Sequence, residues 1–228
     1  MKDVPDQKRQ VFIVDDHALV REWLTNLINQ QNDLAVCGEA SGAAEALQAV
    51  TATKPEVAII DISLKDSSGI ELIKDLKRCC PTLVVLVLSM HDESLYAERA
   101  LLAGAKGYIM KRETTRKVVE ALRRVLEGKF YISEAISELI TERFIQAGML
   151  APHSALQQLS DRELAVFDLL GEAHGSREIA ETLGISIKTV QAYCARIKEK
   201  LNLHNGTELL REALRHKASE GPHPNRQD

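Results

Sequence analysis

Short apolar runs alternate with helical patterns along the first 127 residues, and this alternation constrains the fold more than any other feature. Each of five runs is almost wholly apolar and has the length of a strand, and a segment with helical spacing follows each one. Strands that are apolar on both faces form parallel sheets with helices packed on both sides, which predicts an α/β unit. The strand-like runs lie at 11–16, 34–40, 57–63, 83–89 and 105–111, and the helical segments at 17–31, 41–53, 70–79, 92–103 and 114–127.

The pattern changes after Gly128. One amphipathic helix is predicted over 131–147, and residues 148–155, which include glycine and proline, indicate a linker. From Leu159 onward every periodic segment is helical. The final residues, GPHPNRQD, are polar and rich in proline, which predicts a disordered tail. We therefore expect an α/β unit, a helical connector and a small all-helical unit.

Composition argues against several classes of protein. The longest apolar run, 83–88, is too short to cross a membrane. The polar N-terminus has no signal-peptide pattern, so we expect a cytoplasmic protein that does not bind membranes. The four cysteines have no CxxC spacing, which argues against a zinc site or thioredoxin-like chemistry. Cys79 and Cys80 are expected to end a helix beside Pro81 and to pack as small apolar side chains.

Chemically active side chains lie at the carboxyl ends of four of the five predicted strands. Parallel strands bring their carboxyl ends to one edge of the sheet, so these side chains are expected to share one pocket. Three clustered carboxylates repel one another and need a cation, and a site with oxygen ligands alone suits Mg²⁺. A carboxylate beside Mg²⁺ is a plausible nucleophile toward phosphorus. The alternative is that such acids cap the following helices, as Asp16 would cap the first. The side chains are those of Asp15, Asp16, Asp61, Ser89 and Lys111.

The first unit resembles the receiver domain of bacterial two-component response regulators. The motifs that carry the resemblance are VDDH at 14–17, IIDISLKDSSG at 59–69, VLS at 87–89 and GYIMK at 107–111. The resemblance implies a flavodoxin-like, doubly wound sheet and phosphorylation of Asp61 by a sensor histidine kinase. It also implies roles for further residues: Mg²⁺ binding by Asp15, Asp16, Asp61 and the main-chain carbonyl of Ser63, switching by Ser89 and Tyr108, and pairing with the phosphoryl oxygens by Lys111.

Three positions depart from the common receiver pattern. Leu64 and Lys65 stand where methionine and proline are usual, so the loop lacks proline stiffening and carries a cation near the site. Arg112 follows the lysine where proline is usual. Neither change removes a reacting group, so phosphorylation remains the expected chemistry.

The helical unit carries the spacing of a helix-turn-helix. Ser160 and Glu163 form a capping-box signature, Gly184 ends a short helix, and Ser186 is the expected cap of a longer one. Residues 186–200 carry four basic side chains and one acid. Such a charge run on its own would more often be a solvated helix face, but the preceding turn favours a nucleic-acid interface.

This unit resembles the LuxR-type helix-turn-helix of the NarL/FixJ response regulators. The matching motifs are LSDRE at 159–163, REIAETLGIS at 177–186, KTVQAYCARIKEKL at 188–201 and TELL at 207–210. The resemblance implies that the 186–201 helix enters the major groove of double-stranded DNA and that the 207–217 helix helps to form a homodimer. It also implies two sets of DNA contacts: phosphates for Lys188, Thr189, Arg196 and Lys200, and bases for Gln191, Ala192 and Ala195.

Two departures in the long helix bear on how DNA is read. Tyr193 stands where histidine is usual, and Ala192 stands where a polar residue is frequent. Direct base readout is therefore expected to be sparse, which leaves more of the recognition to DNA shape.

These resemblances imply a DNA-binding transcriptional regulator that phosphorylation switches. The implied domains are a receiver at 8–128, a connector and linker at 129–154, a DNA-binding domain at 155–218 and a disordered tail at 219–228. The alternative is a receiver whose helical unit binds a protein partner instead of DNA. An enzyme such as a phosphatase is not expected, because the sequence carries no signature of a second substrate pocket and slow self-hydrolysis of an aspartyl phosphate would suffice.

Overall fold

The computed structural model describes residues 8–64, 68–113, 115–145 and 155–219. They form two compact units, one within residues 1–150 and one within 151–228. Residues 148–154 of the predicted linker and residues 220–228 of the predicted tail lie outside the described residues. Ser219, which was predicted to belong to the tail, is the last residue of the final helix. No helix in the described part of the chain is long and apolar enough to span a membrane.

The first unit is a five-stranded parallel sheet with the strand order β2-β1-β3-β4-β5. This order confirms the predicted fold class. From β1 the chain adds β2 on one side and β3, β4 and β5 on the other, and such sheets bind their ligands at the point between β1 and β3 where the strand order reverses. The elements are β1 Arg9–Val14, α1 Ala18–Asn29, β2 Leu34–Ala40, α2 Ala43–Thr53, β3 Val57–Ile60, α3 Gly69–Cys79, β4 Val84–Ser89, α4 Glu93–Ala103, β5 Gly107–Met110, α5 Thr115–Leu126 and α6 Glu134–Ile145.

Burial on both faces of the sheet explains the apolar strands. The four residues of β3 are all buried, and 11–14 of β1 are buried with them. Helices α1 and α5 cover one face through Leu24, Ile28 and Leu122, which join the same core. Removing these side chains from water is the main stabilising contribution to the unit.

The strands end earlier than predicted at the edge that carries the acids. β1 ends at Val14 and β3 at Ile60, so Asp15 and Asp61 are the first residues beyond their strands. Val14 pairs with Ile60 in the parallel register, and the Asp61 amide donates to the Val14 carbonyl at 2.9 Å. The register therefore places the two carboxylates side by side.

The connector helix is shorter than predicted, because its first residues belong to the sheet edge. Tyr131 pairs with Gly107 of the outer strand β5. Its amide donates to the Lys106 carbonyl at 3.0 Å, and its carbonyl accepts from the Tyr108 amide at 2.9 Å. Ser133 then accepts a hydrogen bond from the Ile136 amide through its hydroxyl at 3.2 Å, which caps α6. Backbone pairing on an open strand edge outweighs the helical periodicity of 131–133.

The end of α3 differs in one respect from the sequence prediction. The helix ends at Cys79 with Cys80 as its cap, before Pro81, as predicted. Cys79 is exposed instead of packed, and both cysteines are free thiols.

Between residues 155 and 219, the second unit forms helices and no strands. A short 3₁₀ turn, Ala155–Gln158, precedes α7 Asp161–Gly171, α8 Ser176–Thr182, α9 Ile187–Lys200 and α10 Gly206–Ser219. Gly184 adopts a positive φ of 63° after α8 and allows the chain to turn into α9. Leu164, Phe167, Ile179, Val190 and Ile197 are fully buried between the helices.

Candidate phosphoacceptor site and helix-turn-helix

The predicted acidic residues meet at the carboxyl edge of the sheet. Asp15 and Asp61 are buried, and the side chain of Asp16 is only 10% exposed. The Asp15 amide donates to the Ala40 carbonyl at 3.2 Å, which fixes the turn after β1 between two strands. His17, not Asp16, is the N-cap of α1, so the alternative role of Asp16 as a helix cap is wrong.

Lys111 joins the two buried carboxylates. Its Nζ lies 2.6 Å from Asp15 Oδ2 and 2.6 Å from Asp61 Oδ2. Its amide donates to the Ser89 carbonyl at 2.7 Å, which continues the β4–β5 ladder one residue past β5. One ammonium therefore compensates two carboxylates that would otherwise repel each other in a poorly solvated pocket.

Burial and charge shift the pKa values of this cluster. Burial raises the pKa of Asp61 above its ordinary value, and the neighbouring Asp15 adds to this, while Lys111 opposes it without cancelling it. For Lys111, burial disfavours the ammonium, but Asp61 and Asp15 outweigh burial and raise its pKa. Asp61 is thus an acid whose charge costs energy in the folded state, and Lys111 stays charged.

The acids and one histidine have the arrangement of a cation site. One ligand atom from each of Asp15, Asp16, His17 and Asp61 lies within 4.8 Å of all the others. The buried Oδ1 of Asp16 has no hydrogen-bond partner. A buried carboxylate oxygen that accepts no hydrogen bond and faces other carboxylates is costly without a cation. The donor set therefore fits a divalent metal such as Mg²⁺, which prefers oxygen ligands.

The loop after Asp61 is held by short contacts. The Ser63 amide donates to Asp61 Oδ1 at 3.3 Å. Ser68 caps α3 by accepting from the Ile70 amide. A Cβ at Gly69 would lie 2.1 Å from the Asp61 carbonyl oxygen, so glycine is required where α3 begins beside Asp61. Leu64 is buried, and Lys65 lies outside the described residues.

The predicted switch residues surround His91. The buried Ser89 hydroxyl accepts from the His91 amide at 3.2 Å, and the Tyr108 hydroxyl donates to the His91 carbonyl at 2.8 Å. The His91 ring nitrogen Nε2 lies 2.7 Å from the Ser63 hydroxyl. Burial, above all, raises the pKa of Tyr108 well above its ordinary value, so its hydroxyl keeps its proton.

Sequence reasoning missed His17 and His91. His17 directly follows the two acids in the VDDH motif, and His91 lies two residues after Ser89, so both positions carried a signal. The contacts of His91 with Ser63 and Tyr108 depend on how three loops meet, which no local pattern reveals.

The connector begins at this switch region. Tyr131 is hydrogen bonded to the main chain of Tyr108, as described above. The Ser133 hydroxyl donates to Glu93 Oε1 of α4 at 2.7 Å. Hydrogen bonds therefore lead from Ser63, in the loop after Asp61, through His91 and Tyr108 to the first residues of the connector.

The helix-turn-helix has the caps that the sequence predicts. Ser160 and Glu163 form a reciprocal capping box at the start of α7. The Ser186 hydroxyl accepts from the Thr189 amide at 3.1 Å and contacts the Thr189 hydroxyl at 2.8 Å. These bonds fix the angle at which the chain enters α9.

The predicted DNA-contacting side chains differ in their surroundings. Most of them are exposed on α9: Lys188, Gln191, Ala192, Ala195 and Arg196. Thr189 is half-buried against the Ser186 cap.

Lys200 is engaged within its own unit. Its Nζ lies 2.7 Å from Glu163 Oε2 and donates to the Gln158 carbonyl at 3.0 Å. The side chain of Glu163 is only 3% exposed. Burial alone would raise the pKa of Glu163, but Lys200 and Ser160 outweigh it and hold the pKa below its usual range. The charge of Lys200 is thus compensated by an acid of α7.

Asp61→Asn should make the first unit more stable. The substitution removes a buried charge and leaves Lys111 paired with Asp15. In metal-free buffer at pH 7 we expect the free energy of unfolding to rise by on the order of 1 kcal/mol. The gain should shrink as the pH falls through the raised pKa of Asp61, because the wild-type side chain is then protonated in the folded state.

Urea unfolding followed by the fluorescence of Trp23, the only tryptophan, measures this gain. Glu22→Gln removes an exposed acid of the same unit and should leave its stability unchanged. A variant no more stable than the wild type at pH 7 would contradict the account of a costly buried charge at Asp61.

Both units match known protein families. Residues 11–123 match the family described as "Response regulator receiver domain". Residues 157–213 match "Bacterial regulatory proteins, luxR family". Both are regulatory families and not families of enzymes.

Individual relatives match over nearly the whole chain. The oxygen regulatory protein NreC of Staphylococcus epidermidis is 33% identical over 216 residues, which cover 92% of this chain and 99% of NreC. RcsB of Salmonella enterica serovar Typhimurium, solved on promoter rprA with the phosphomimetic BeF3⁻, is 27% identical with a TM-score of 0.64, covering 91% of this chain and 99% of RcsB. A structure of two RcsB dimers bound to two parallel DNAs is 27% identical, with a TM-score of 0.55 and coverage of 90% and 97%.

The fold, the acidic pocket and the helix-turn-helix agree with these matches. The chain belongs to the two-component response regulators of the NarL/FixJ type, with a receiver domain followed by a LuxR-type helix-turn-helix domain.

Proposed function

We propose that the protein is a transcriptional regulator that a sensor histidine kinase switches by phosphorylating Asp61. The observation that carries the proposal is the pocket itself, in which Asp61 contacts Lys111 and lies beside Asp15 and Asp16. This pocket combines a carboxylate nucleophile, a fixed cation and a set of metal ligands. The match of residues 11–123 to receiver domains supports the same conclusion.

Phosphoryl transfer to Asp61 requires charge compensation more than acid–base chemistry. A carboxylate oxygen of Asp61 forms a bond to phosphorus while the phosphorus–nitrogen bond of the donor phosphohistidine breaks, and the leaving imidazole takes up a proton. Lys111 stabilises the charge on the phosphoryl oxygens. The Ser63 amide holds Asp61 Oδ1, so the nucleophile is oriented before the donor binds.

Asp15, Asp16, Asp61 and the main-chain carbonyl of Ser63 would hold Mg²⁺. When bound, the metal would neutralise charge on the transferred group. The buried Oδ1 of Asp16, which accepts no hydrogen bond, supports this assignment. We propose no hydrolytic enzyme function, and loss of the phosphoryl group by slow self-hydrolysis would reset the protein.

Ser89 and Tyr108 would pass the change to the connector. A phosphoryl group on Asp61 offers the Ser89 hydroxyl a charged acceptor, at the cost of its bond with the His91 amide. Loss of that bond would disturb the contact between His91 and Tyr108. Since Tyr131 is hydrogen bonded to Tyr108, the connector is the next segment to respond.

We propose that α9 binds double-stranded DNA and that the phosphorylated chain acts as a homodimer in the cytoplasm. The exposed Lys188 and Arg196, with Thr189, would contact phosphates, and Gln191 and Ala192 would face bases. Lys200 would contact a phosphate while its ammonium also stays paired with the Glu163 carboxylate. The proposed domain limits are 8–128, 129–154, 155–218 and 219–228.

The match of residues 157–213 to LuxR-type regulators favours this reading, and none of the comparisons supports a protein-binding output domain. RcsB has been solved bound to promoter DNA and as two dimers bound to two parallel DNAs.

Asp61 should accept one phosphoryl group from acetyl phosphate when Mg²⁺ is present. Intact-mass measurement should show a single adduct in the wild type and none in Asp61→Asn, because the amide is not a nucleophile. Glu22→Gln, which changes an exposed acid of α1, should form the adduct normally. A full adduct on Asp61→Asn would show that another residue is the acceptor.

Lys188 and Gln191 should affect DNA binding in different ways. Lys188→Ala should weaken binding to all sequences and reduce the salt slope of the affinity by about 1, because one phosphate contact is lost. Gln191→Ala should keep nonspecific affinity and lose roughly 1–3 kcal/mol of discrimination at one base pair.

Binding-site selection from random DNA, followed by salt titration, measures both effects. Arg78→Ala on α3 removes an exposed cation of the first unit and serves as the control. If Gln191→Ala selects the same sites as the wild type, Gln191 does not read a base.

A further inference from the structure

The imidazole of His17 lies at the mouth of the acidic pocket. Its Nδ1 lies 2.7 Å from Asp16 Oδ1 and 3.4 Å from Asp15 Oδ1. One ligand atom from each of His17, Asp16, Asp15 and Asp61 lies within 4.8 Å of the other three. The histidine therefore brings a nitrogen donor to a cluster in which the other side-chain donors are carboxylate oxygens.

The spacing of these atoms is that of neighbouring ligands around one metal ion. Ligands about 2.1 Å from a metal lie about 3.0 Å apart at a right angle and about 3.4 Å apart in a tetrahedron. The contacts of His17 Nδ1 with Asp16 and Asp15 match these spacings. A single ion can thus touch the imidazole and the carboxylates with little movement.

Asp16 gives a second, independent indication of a ligand. Its Oδ1 is buried and has no hydrogen-bond partner, although it lies 2.7 Å from His17 Nδ1. The two atoms are close without the geometry of a hydrogen bond. Such an arrangement is expected of two donors that converge on a third atom.

The main chain fixes His17, and its side chain has no other structural task in the helix. The His17 amide donates to Asp15 Oδ1 at 2.9 Å. His17 is the N-cap of α1, but its side chain makes no capping hydrogen bond. The side chain is 65% exposed, so it can meet an ion from solvent without repacking the core.

We propose that His17 is a nitrogen ligand that gives the pocket affinity for divalent first-row transition metals. Imidazole suits ions such as Mn²⁺, Ni²⁺ and Zn²⁺, whereas Mg²⁺ is bound through oxygen. The pocket would therefore hold Mg²⁺ through its carboxylates and a transition metal through the carboxylates and His17. The inference rests on the proposed function in so far as both use the same acidic residues.

Calorimetric titration of the metal-free full chain with Ni²⁺ and with Mg²⁺ tests this inference. His17→Ala should weaken Ni²⁺ binding about tenfold or more and leave Mg²⁺ binding within about twofold. His17→Ser should behave in the same way while keeping a good N-cap, which separates ligand loss from damage to α1. His204→Ala, which removes an exposed histidine of the other unit, should change neither affinity.

The outcomes separate this inference from the proposed function. If His17→Ala and His17→Ser bind Ni²⁺ as tightly as the wild type, His17 is not a ligand, and the phosphoacceptor site is unaffected. If both variants lose Ni²⁺ and Mg²⁺ affinity equally, nitrogen ligation is also overturned, because His17 then only positions the carboxylates that bind both metals. If the wild type binds no Mg²⁺ at all, the proposed acidic metal site fails, and the inference fails with it.

Discussion

The contact of one ammonium with two buried carboxylates is the interaction on which the receiver unit depends. Lys111 lies 2.6 Å from both Asp15 and Asp61, and all three side chains are largely removed from water. Without this cation, two adjacent carboxylates in a poorly solvated pocket would repel each other and favour protonation. With it, the charged form of Asp61 costs less, although burial still holds the pKa of this carboxyl above its ordinary value. Under the proposed function, the same ammonium would also pair with the phosphoryl group.

The sheet provides this contact through its register. Because β1 and β3 are parallel neighbours and end in the paired residues Val14 and Ile60, the next residues of both strands lie together. Lys111 reaches them from β5 because its amide continues the ladder with Ser89. Apolar burial along the strands stabilises the unit, and some of that stability offsets the charged cluster at its edge. The connector starts on the outer side of β5, so it contacts the strand that carries Tyr108 and leads into Lys111.

The sequence allowed the strands, their parallel arrangement and the shared pocket to be predicted, because each depends on a local pattern or on topology. The caps at Ser160 and Ser186 were predictable for the same reason. Contacts that depend on side-chain placement between distant segments were not. Lys200 was expected to contact phosphate, and its ion pair with Glu163 of another helix was not predicted. Residues 131–133 have helical periodicity, but the open edge of β5 binds Tyr131.

The central claim is that the phosphoryl site and the DNA-binding helix are energetically coupled, and linkage allows one direct test. The affinity of the full chain for beryllium fluoride, a phosphoryl mimic, should be measured with Mg²⁺ in the presence and absence of DNA selected by the protein. Coupling is reciprocal, so DNA should tighten beryllium fluoride binding by the same factor by which beryllium fluoride tightens DNA binding, about 5-fold or more. Equal beryllium fluoride affinity with and without bound DNA would contradict the account, because the two sites would then be independent.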